Sequence, residues 1–349
     1  MAAGAFRVGL SGDFRAADGG PLFDALAWRW LHEAPGVEVA LLDRPAGAPV
    51  ERSDAERFDA LVIKRNRVDA GVVDGPARLR IVARNGVGFD HVDVAACTRA
   101  GVMVTLTPRA VARPVASATF ALILALAHRI VERDRRTRAG EWARRLEYPG
   151  FGLTGRTLGV VGLGGIGCEL LRLAAPWQMR HLGATPRPRP VRYAGLAVDI
   201  VPLDELLARS DFVALCCPLN DSTRGMIDAR ALARMPPHAV LVNAARGEIV
   251  DETALVEALR AGRLAGAGLD VYAHEPPPPG HPLFALPNVI LGSHNLAITD
   301  ELNAAANRGV ARAVLDVAAG RVPEDLLDPA VLAHARVRER AAAERPPGA

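Results

Sequence analysis

The strongest constraint on the fold is an alternation of short apolar runs with helical patterns, which occurs twice along the chain. A turn cluster at 148–152 separates the two series. The candidate strands are residues 6–10, 37–42, 60–63, 79–82 and 101–104 in the first series, and 158–161, 180–184, 213–216, 240–242, 268–271 and 289–291 in the second. Strands that alternate with helices build parallel sheets from βαβ units. The sequence therefore predicts an α/β fold with two parallel sheets.

Length and composition agree with a well-cored protein. The chain has 349 residues, which suggests about two domains. Half of the residues are hydrophobic and 23% are charged, so a disordered chain is excluded. The four cysteines, two of them adjacent, show no paired spacing, which argues against a disulfide scaffold and for reduced thiols. No metal site is predicted.

Charge and hydropathy do not favour a nucleic-acid or membrane partner. The formal net charge is only +3, and the basic runs at 133–138 and after 336 are typical of solvated helix faces. The N-terminus lacks a secretory pattern. The apolar run 116–127, which we place in a long helix over 116–138, is shorter than the roughly 20 residues that span a bilayer. We expect a cytoplasmic protein.

The sharpest motif is Gly162-Leu-Gly164-Gly-Ile-Gly167. The bare pattern is weak evidence, because 33 residues of the chain are glycine. Its context strengthens it, since an apolar run (158–161) precedes the glycines and a helical pattern (169–175) follows them. In such a strand–turn–helix unit, a dinucleotide pyrophosphate binds at the helix N-terminus. The alternative is a glycine-rich turn without a ligand.

The segment after the next strand distinguishes NADP from NAD. In NAD sites a carboxylate about 20 residues past the glycines binds the adenosine ribose. Here Thr185 stands in that neighbourhood, and Arg187 and Arg189 follow in a proline-rich turn. Arginine pairs with a 2′-phosphate, which a carboxylate would repel. The segment therefore favours NADP over NAD, with a merely solvated surface loop as the alternative.

Further motifs follow the glycines in a characteristic order. They are Val242-Asn-Ala-Ala-Arg246-Gly-Glu-Ile-Val-Asp251, Gly268-Leu-Asp270-Val, Glu275-Pro276, His281-Pro-Leu and Ser293-His294, with Asn85-Gly-Val-Gly-Phe-Asp90 upstream. In these motifs the chain resembles the D-isomer-specific 2-hydroxyacid dehydrogenases, which include glyoxylate/hydroxypyruvate reductases and phosphoglycerate dehydrogenases. The resemblance covers about residues 85–303. It implies an oxidoreductase that transfers a hydride between NAD(P)H and a 2-keto or D-2-hydroxy acid.

The resemblance also implies an architecture. It places two Rossmann-like domains in the chain, a discontinuous substrate domain (1–107 and 297–335) and an inserted dinucleotide-binding domain (108–296). Residues 336–349 are expected to form a frayed tail. The active site is expected in the cleft between the domains. Family members are usually homodimers joined through the cofactor domain. The helix containing 116–127 is a candidate contributor to that interface, with burial within the monomer as the equal alternative.

Three residues match the catalytic groups of the family. Arg246 matches the arginine that holds the substrate carboxylate and polarises the carbonyl, for which its planar guanidinium is suited. His294 matches the general acid/base, and histidine is the usual choice near neutral pH. Glu275 matches the carboxylate that orients this histidine and favours its protonated form. Each of these residues taken alone has an inert alternative, and their joint order carries the interpretation.

Other matches concern binding. The resemblance implies that the cofactor is contacted by Gly165, Ile166, Thr185, Cys217, Ala244 and Asp270, in addition to the glycines and Arg187. It implies that backbone N–H groups of Asn85, Gly86 and Val87 bind the substrate carboxylate.

Lys64, the only lysine, forms a basic cluster with Arg65 and Arg67. We hypothesise that this cluster binds a second anion on the substrate, with a solvated strand end as the alternative.

A functional alternative comes from the same fold. The chain also resembles a group of transcriptional corepressors that sense NAD(H) and recruit partner peptides, and that group keeps the arginine, glutamate and histidine. The segment Thr185–Arg189 argues against it, because an NADP-adapted turn suits reductive chemistry better.

Overall fold

The chain divides into two units, each built on one parallel sheet. The computed structural model describes residues 4–75, 78–147 and 149–343. The first unit contains Met1–Val111 and Thr299–Ala349, and the second contains Ala112–Ile298. Two parallel-sheet α/β units confirm the predicted fold class.

The first sheet has five strands in the order β2-β1-β3-β4-β5. They are β1 (Phe6–Leu10), β2 (Val37–Leu41), β3 (Ala60–Ile63), β4 (Ile81–Arg84) and β5 (Met103–Thr105). The helices of this unit are α1 (Ala25–Glu33), α2 (Arg52–Arg57), α3 (Ala70–Val73), α4 (Val94–Ala100), α11 (Asp300–Ala318) and α12 (Ala335–Ala343). All neighbouring strands are parallel.

Both faces of the first sheet are covered, which is why its strands are almost continuously apolar. Successive side chains of β4 point to opposite faces. Ile81 packs with residues of α1 and α11, such as Val314. Val82 packs on the other face with residues of α2, α3 and α4, such as Cys97. Helix α11, which the sequence analysis grouped with the first hundred residues, packs in the first unit.

The second sheet has seven strands in the order β12-β11-β10-β9-β6-β7-β8. They are β6 (Thr157–Val161), β7 (Arg180–Ala184), β8 (Asp199–Ile200), β9 (Phe212–Leu215), β10 (Val240–Asn243), β11 (Gly266–Leu269) and β12 (Val289–Leu291). The helices between them are α7 (Gly165–Ala174), α8 (Leu203–Arg209), α9 (Ala229–Arg234) and α10 (Glu252–Arg260). The chain leaves β6 toward β7 and β8, and returns on the other side of β6 as β9. The strand order therefore reverses at β6, and ligands of open α/β sheets bind at the carboxyl ends of the strands at such a point.

The predicted long helix over 116–138 is wrong. Two helices occupy this region, α5 (Pro108–Ala127) and α6 (Ile130–Arg138). Arg129 between them has a φ of 52°, in the left-handed region that ends a helix. The apolar periodicity stops at Ala127, and α6 buries no residue. Neither glycine nor proline marks the break, so no local signal for it exists.

Two further differences concern the ends of the sheets and the chain. The two-residue strand β8 was not predicted, because it is too short to show a pattern. Residues 336–343, expected to fray, belong instead to α12, and Val337 packs against the core of the first unit. Residues 344–349 lie outside the described residues.

Among the described residues, α5 is the one helix that could cross a membrane by length and composition. Its Ala116, Ile123 and Ala127 are fully buried in the core of the second unit, together with residues of β6 and α7. This is the packing of a core helix, as the apolar run predicted.

Candidate active site

The glycine loop after β6 leaves room for a ligand at the N-terminus of α7. Gly162 has a φ of 100°, which favours glycine, and a Cβ on Gly167 would lie 2.1 Å from the Gly162 carbonyl oxygen. Around the position of a Gly164 Cβ, by contrast, no heavy atom lies within 4 Å. The first N–H groups of a helix lack partners within the helix. Gly162 and Gly167 allow α7 and β6 to approach each other closely. The open space beside Gly164 is the kind of space that a pyrophosphate requires.

Cys217, predicted to contact the cofactor, lies beside this loop. A Cβ on Gly162 would lie 2.7 Å from the Cys217 backbone nitrogen, so the loop after β6 and the loop after β9 meet where the strand order reverses. Burial raises the pKa of the Cys217 thiol to about 11. The thiol is therefore neutral near pH 7 and acts as part of an apolar wall.

The segment after β7 presents two arginines to solvent. Thr185 is half-buried at the end of β7, and Arg187 and Arg189 are exposed. Within the described part of the chain, neither guanidinium has a hydrogen-bond or ion-pair partner. Both are therefore free to bind an anion.

The three candidate catalytic residues follow three adjacent parallel strands. Arg246 comes three residues after β10, Glu275 lies in the turn after β11, and His294 comes three residues after β12. These strands are neighbours in the order β12-β11-β10. The carboxyl ends of parallel strands lie at the same edge of a sheet, so the topology places all three residues there.

Two of these side chains are in direct contact. His294 Nδ1 lies 2.7 Å from Glu275 Oε2, a hydrogen bond of the charge-assisted kind, and each side chain is 29% exposed. Because Nδ1 is engaged with the carboxylate, Nε2 is the ring nitrogen left to face a substrate. This pairing of an imidazole with a carboxylate can move a proton and keep the ring in one orientation.

The backbone at His294 is in an unusual conformation. Its φ of 57° lies in the left-handed region, which residues other than glycine rarely adopt. Asp270 holds this conformation, since its carbonyl oxygen accepts from His294 N at 2.7 Å and its carboxylate accepts from Asn295 N and Leu296 N. Burial raises the pKa of Asp270, against the opposing effect of these N–H groups and of His294. Asp270, predicted to contact the cofactor, therefore also builds the histidine loop.

The turn that carries Arg246 is organised by a buried asparagine. Asn243 is 1% exposed, donates from Nδ2 to the Arg246 carbonyl oxygen at 2.9 Å and accepts from Ala245 N at 3.0 Å. The half-buried Arg246 side chain donates to the Ala245 carbonyl oxygen at 2.7 Å. Ala244 lies in the same turn. A Cβ on Gly247 would lie 1.8 Å from the Tyr272 carbonyl carbon, so the turns after β10 and β11 are in close contact.

The first unit contains the loop that was predicted to bind a carboxylate, and here the prediction needs correction. Asn85 N donates to the Ile63 carbonyl oxygen at 2.8 Å, and Gly86 N donates to Thr107 Oγ1 at 2.8 Å. These two N–H groups already have acceptors, so they are not free to bind a ligand. Among the described residues, Val87 N has no acceptor and remains the donor that the loop can offer.

Lys64 lies at the end of β3 in the same unit. The side chain is half-buried, and Nζ lies 4.8 Å from the centroid of the buried Phe14 ring. Burial lowers the pKa of Lys64, and the charges of Arg65 and Arg84 lower it further, while Asp13 opposes the shift. Arg65 is exposed, and Arg67 is exposed and pairs with Asp69 at 3.4 Å. Only Lys64 of the predicted basic cluster is therefore partly desolvated.

No group of three or more histidine, cysteine, aspartate or glutamate side chains in the described residues could hold a metal ion.

Comparison with known proteins decides the family. The sequence model of the "D-isomer specific 2-hydroxyacid dehydrogenase, NAD binding domain" matches residues 120–295. A glyoxylate reductase of Korarchaeum cryptofilum is 38% identical over 307 residues, which is 87% of this chain and 90% of that protein. The chain belongs to the D-isomer specific 2-hydroxyacid dehydrogenase family. It is an oxidoreductase that transfers a hydride between NAD(P)H and a 2-keto or 2-hydroxy acid, as predicted.

Two more relatives extend the comparison of this dehydrogenase. A D-3-phosphoglycerate dehydrogenase of Mycobacterium leprae is 39% identical over 292 residues, which is 84% of this chain and 55% of that protein. The crystal structure of an NADPH-dependent glyoxylate/hydroxypyruvate reductase from Sinorhizobium meliloti, in complex with NADP and malonate, superposes with a TM-score of 0.78. It is 27% identical and covers 92% of this chain and 96% of that one. These relatives are named as enzymes, and they lend no support to the corepressor alternative.

Sequence reasoning missed several residues that build the site of this dehydrogenase. Asn243 and Tyr272 hold the turns that carry the candidate catalytic residues. Glu252 accepts from Ala273 N at 3.1 Å and from His281 Nε2 at 2.9 Å. Asn243 and His281 stand within the quoted motifs without an assigned role. A polar side chain directly after a buried apolar strand was the available signal for Asn243. Tyr272 and Glu252 gave no signal, because their partners are distant in sequence.

The glycine loop leads to a prediction about cofactor binding. Substituting Gly167→Ala forces a Cβ to 2.1 Å from the Gly162 carbonyl oxygen, so α7 must move away from β6. We expect the Kd for the dinucleotide, measured by quenching of tryptophan fluorescence, to rise at least about tenfold. Gly152→Ala is the matched control, because no heavy atom lies within 4 Å of its Cβ position. Unchanged dinucleotide affinity in Gly167→Ala would contradict a pyrophosphate site at this turn.

Proposed function

We propose that this dehydrogenase reduces a short 2-keto acid such as glyoxylate or hydroxypyruvate with NADPH, using His294, Glu275 and Arg246. The observation that carries the proposal is the 2.7 Å contact between His294 Nδ1 and Glu275 Oε2, at the same sheet edge as the Arg246 turn. The substrate class is supported by the names of the relatives from Korarchaeum cryptofilum and Sinorhizobium meliloti.

The residues have distinct roles in the proposed reaction. The bound dinucleotide supplies the hydride that the carbonyl carbon accepts. His294 donates a proton from Nε2 to the carbonyl oxygen, so that the keto group becomes a hydroxyl. Glu275 keeps the imidazole oriented through Nδ1. Arg246 binds the substrate carboxylate with its planar guanidinium and polarises the carbonyl.

The dinucleotide occupies the carboxyl end of the second sheet. We assign the pyrophosphate to the loop containing Gly162, Gly164, Gly165, Ile166 and Gly167, since Gly164 borders open space there. We assign the adenosine end to Thr185 and Cys217, and the nicotinamide end to Ala244 and Asp270. The exposed Arg187 and Arg189 support NADP, because a 2′-phosphate gives their guanidiniums a partner.

The first unit contributes to substrate binding in this proposal. Within the described part of the chain, Val87 N is the loop donor without an acceptor, while Asn85 and Gly86 make hydrogen bonds that shape the loop. Lys64 holds a second anionic group where the substrate carries one. Its partial burial supports this role, because a desolvated ammonium gains more from an anion than an exposed one does.

We further propose that the protein is a cytoplasmic homodimer. Ile130, Val131, Trp142 and Leu146 of the second unit are 53%, 53%, 66% and 81% exposed, which is unusual for such large apolar side chains. Burial of these side chains by a second copy explains their exposure here. Helix α5, the other candidate, buries Ala116, Ile123 and Ala127 in its own unit. A monomer in sedimentation equilibrium would contradict the homodimer.

The central test of function is a panel of 2-keto acids with NADPH and NADH, followed by variants of the catalytic residues. We expect Arg246→Ala and His294→Ala each to lower kcat for the best substrate by roughly 10²-fold or more, because each removes a group that acts on the reacting carbonyl. The Kd for NADPH stays within about twofold of the wild-type value. His238→Ala, a change of an exposed histidine before β10, is the control. Near-normal kcat in either catalytic variant would exclude the assigned role.

Cofactor choice is tested at the turn after β7. Arg187→Ala removes one candidate partner of the 2′-phosphate, so we expect KM for NADPH to rise on the order of tenfold while KM for NADH is unchanged. Arg209→Ala, which changes an exposed arginine on α8, should leave both values unchanged. An equal rise in KM for the two cofactors would show that Arg187 does not recognise the 2′-phosphate of NADPH.

The role of Lys64 is tested by comparing glyoxylate with a doubly anionic keto acid. We expect Lys64→Met to lower kcat/KM for the dianion by about tenfold and to leave that for glyoxylate unchanged. Because burial lowers the pKa of Lys64, the ammonium loses its charge at a lower pH than an exposed lysine does. The wild-type preference for the dianion therefore declines as the pH rises into the alkaline range, and Lys64→Arg keeps it. Equal kcat/KM for both acids in the wild type would refute this role.

A further inference from the structure

We propose that Tyr272 is a positioning residue for the proton donor, and that its hydroxyl sets the orientation of His294 through the Gly292 carbonyl group. This inference rests on the proposed function of His294. In this proposal Tyr272 contacts neither the substrate nor the dinucleotide, and it acts through the loop after β12.

Tyr272 is hydrogen-bonded to Glu275 and to the loop that carries His294. Its hydroxyl donates to the Gly292 carbonyl oxygen at 2.6 Å, two residues before His294. Its backbone N–H donates to Glu275 Oε1 at 3.2 Å, while the other oxygen of that carboxylate contacts His294 Nδ1. One residue thus fixes the carboxylate from one side and the histidine loop from the other.

The histidine loop needs such support because it has little packing of its own. Ser293, Asn295 and Leu296 are exposed, and His294 is held at a φ of 57°. A residue other than glycine persists in this conformation only where its surroundings determine it. The hydrogen bonds from His294 N to the Asp270 carbonyl oxygen and from Gly292 N to the Leu269 carbonyl oxygen fix two backbone points, each at 2.7 Å. The Tyr272 hydroxyl adds the side-chain bond that fixes the Gly292 peptide plane.

Tyr272 itself is rigidly placed. The residue is 5% exposed, and Gly247 packs against its carbonyl group. Its ring meets His281 edge-on at 6.5 Å between centroids. His281 pairs with Glu252, which also accepts from Ala273 N. Burial raises the pKa of Tyr272, so the hydroxyl keeps its proton and remains a donor over the pH range of catalysis.

The variant Tyr272→Phe tests the proposal, because it removes the hydroxyl and keeps both the ring and the backbone N–H. We expect the single-turnover rate of NADPH oxidation to fall about tenfold, a part of what a general acid contributes. The Kd for NADPH and the KM for the keto acid stay within about twofold. We also expect the solvent deuterium isotope effect on the single-turnover rate to increase, since a misplaced imidazole slows the proton transfer.

Ser210→Ala is the matched control. Ser210 is fully buried in the same unit, and its hydroxyl donates to the Leu206 carbonyl oxygen, also at 2.6 Å, before the amino end of β9. Ser210→Ala therefore removes the same kind of hydrogen bond, at the opposite edge of the sheet. A similar fall in Tm without a change in single-turnover rate is expected. An equal loss of rate in both variants would mean that Tyr272 acts only through stability.

A double-mutant cycle gives a second test of the positioning role. In a Glu275→Gln background, the loss caused by Tyr272→Phe should be smaller than in the wild type, because both changes act on the orientation of one imidazole. Losses that multiply independently would overturn the positioning role. If the wild type turns over keto acids and Tyr272→Phe has the same single-turnover rate, this inference alone is refuted. If the wild type turns over no keto acid, the proposed function is refuted.

Discussion

The parallel pairing of β10, β11 and β12 is the constraint on which the active site depends. Parallel strands end at one edge, so residues that are separated by up to 48 positions in the chain (246 to 294) come to neighbouring turns. The pairing is maintained by strands such as Val240–Asn243, whose four residues are all buried. A buried apolar strand pairs in one register and one direction. The positions of the polar residues that follow it are therefore fixed.

Polar groups at this edge are held mainly by other polar groups rather than by packing. Asn243 organises the Arg246 turn, Asp270 the histidine loop, and Glu252 the turn before Glu275. Each of these side chains is at least partly desolvated, which makes an unmade hydrogen bond costly and keeps the network intact. In the proposed reaction, a proton donor whose geometry is set in this way does not have to be reorganised when a substrate arrives, which would lower the barrier to proton transfer.

The proposed dinucleotide site and the first unit differ from this edge, because several of their groups have no protein partner among the described residues. The space around Gly164, the exposed Arg187 and the N–H group of Val87 are all free among the described residues. By contrast, a Cβ on Gly167 would meet the Gly162 carbonyl oxygen, and Gly86 N already donates to Thr107 Oγ1. In each motif, therefore, only certain atoms are available to bind a ligand, and the presence of the motif does not show which ones.

The sequence by itself determined the α/β class, the glycine turn and the order of the arginine, glutamate and histidine, because these depend on periodicity and on local motifs. It did not determine the break at Arg129, the acceptors already bound to Asn85 N and Gly86 N, or the bonds from Tyr272 to Gly292 and Glu275. The contact of Tyr272 with Gly292 spans 20 positions in the chain. Such contacts depend on which strands become neighbours, and strand order leaves no trace in local patterns. Only the tertiary structure decided them, since a hydrogen bond requires two groups to meet at about 3 Å and the chain brings distant groups together only once the sheet has formed.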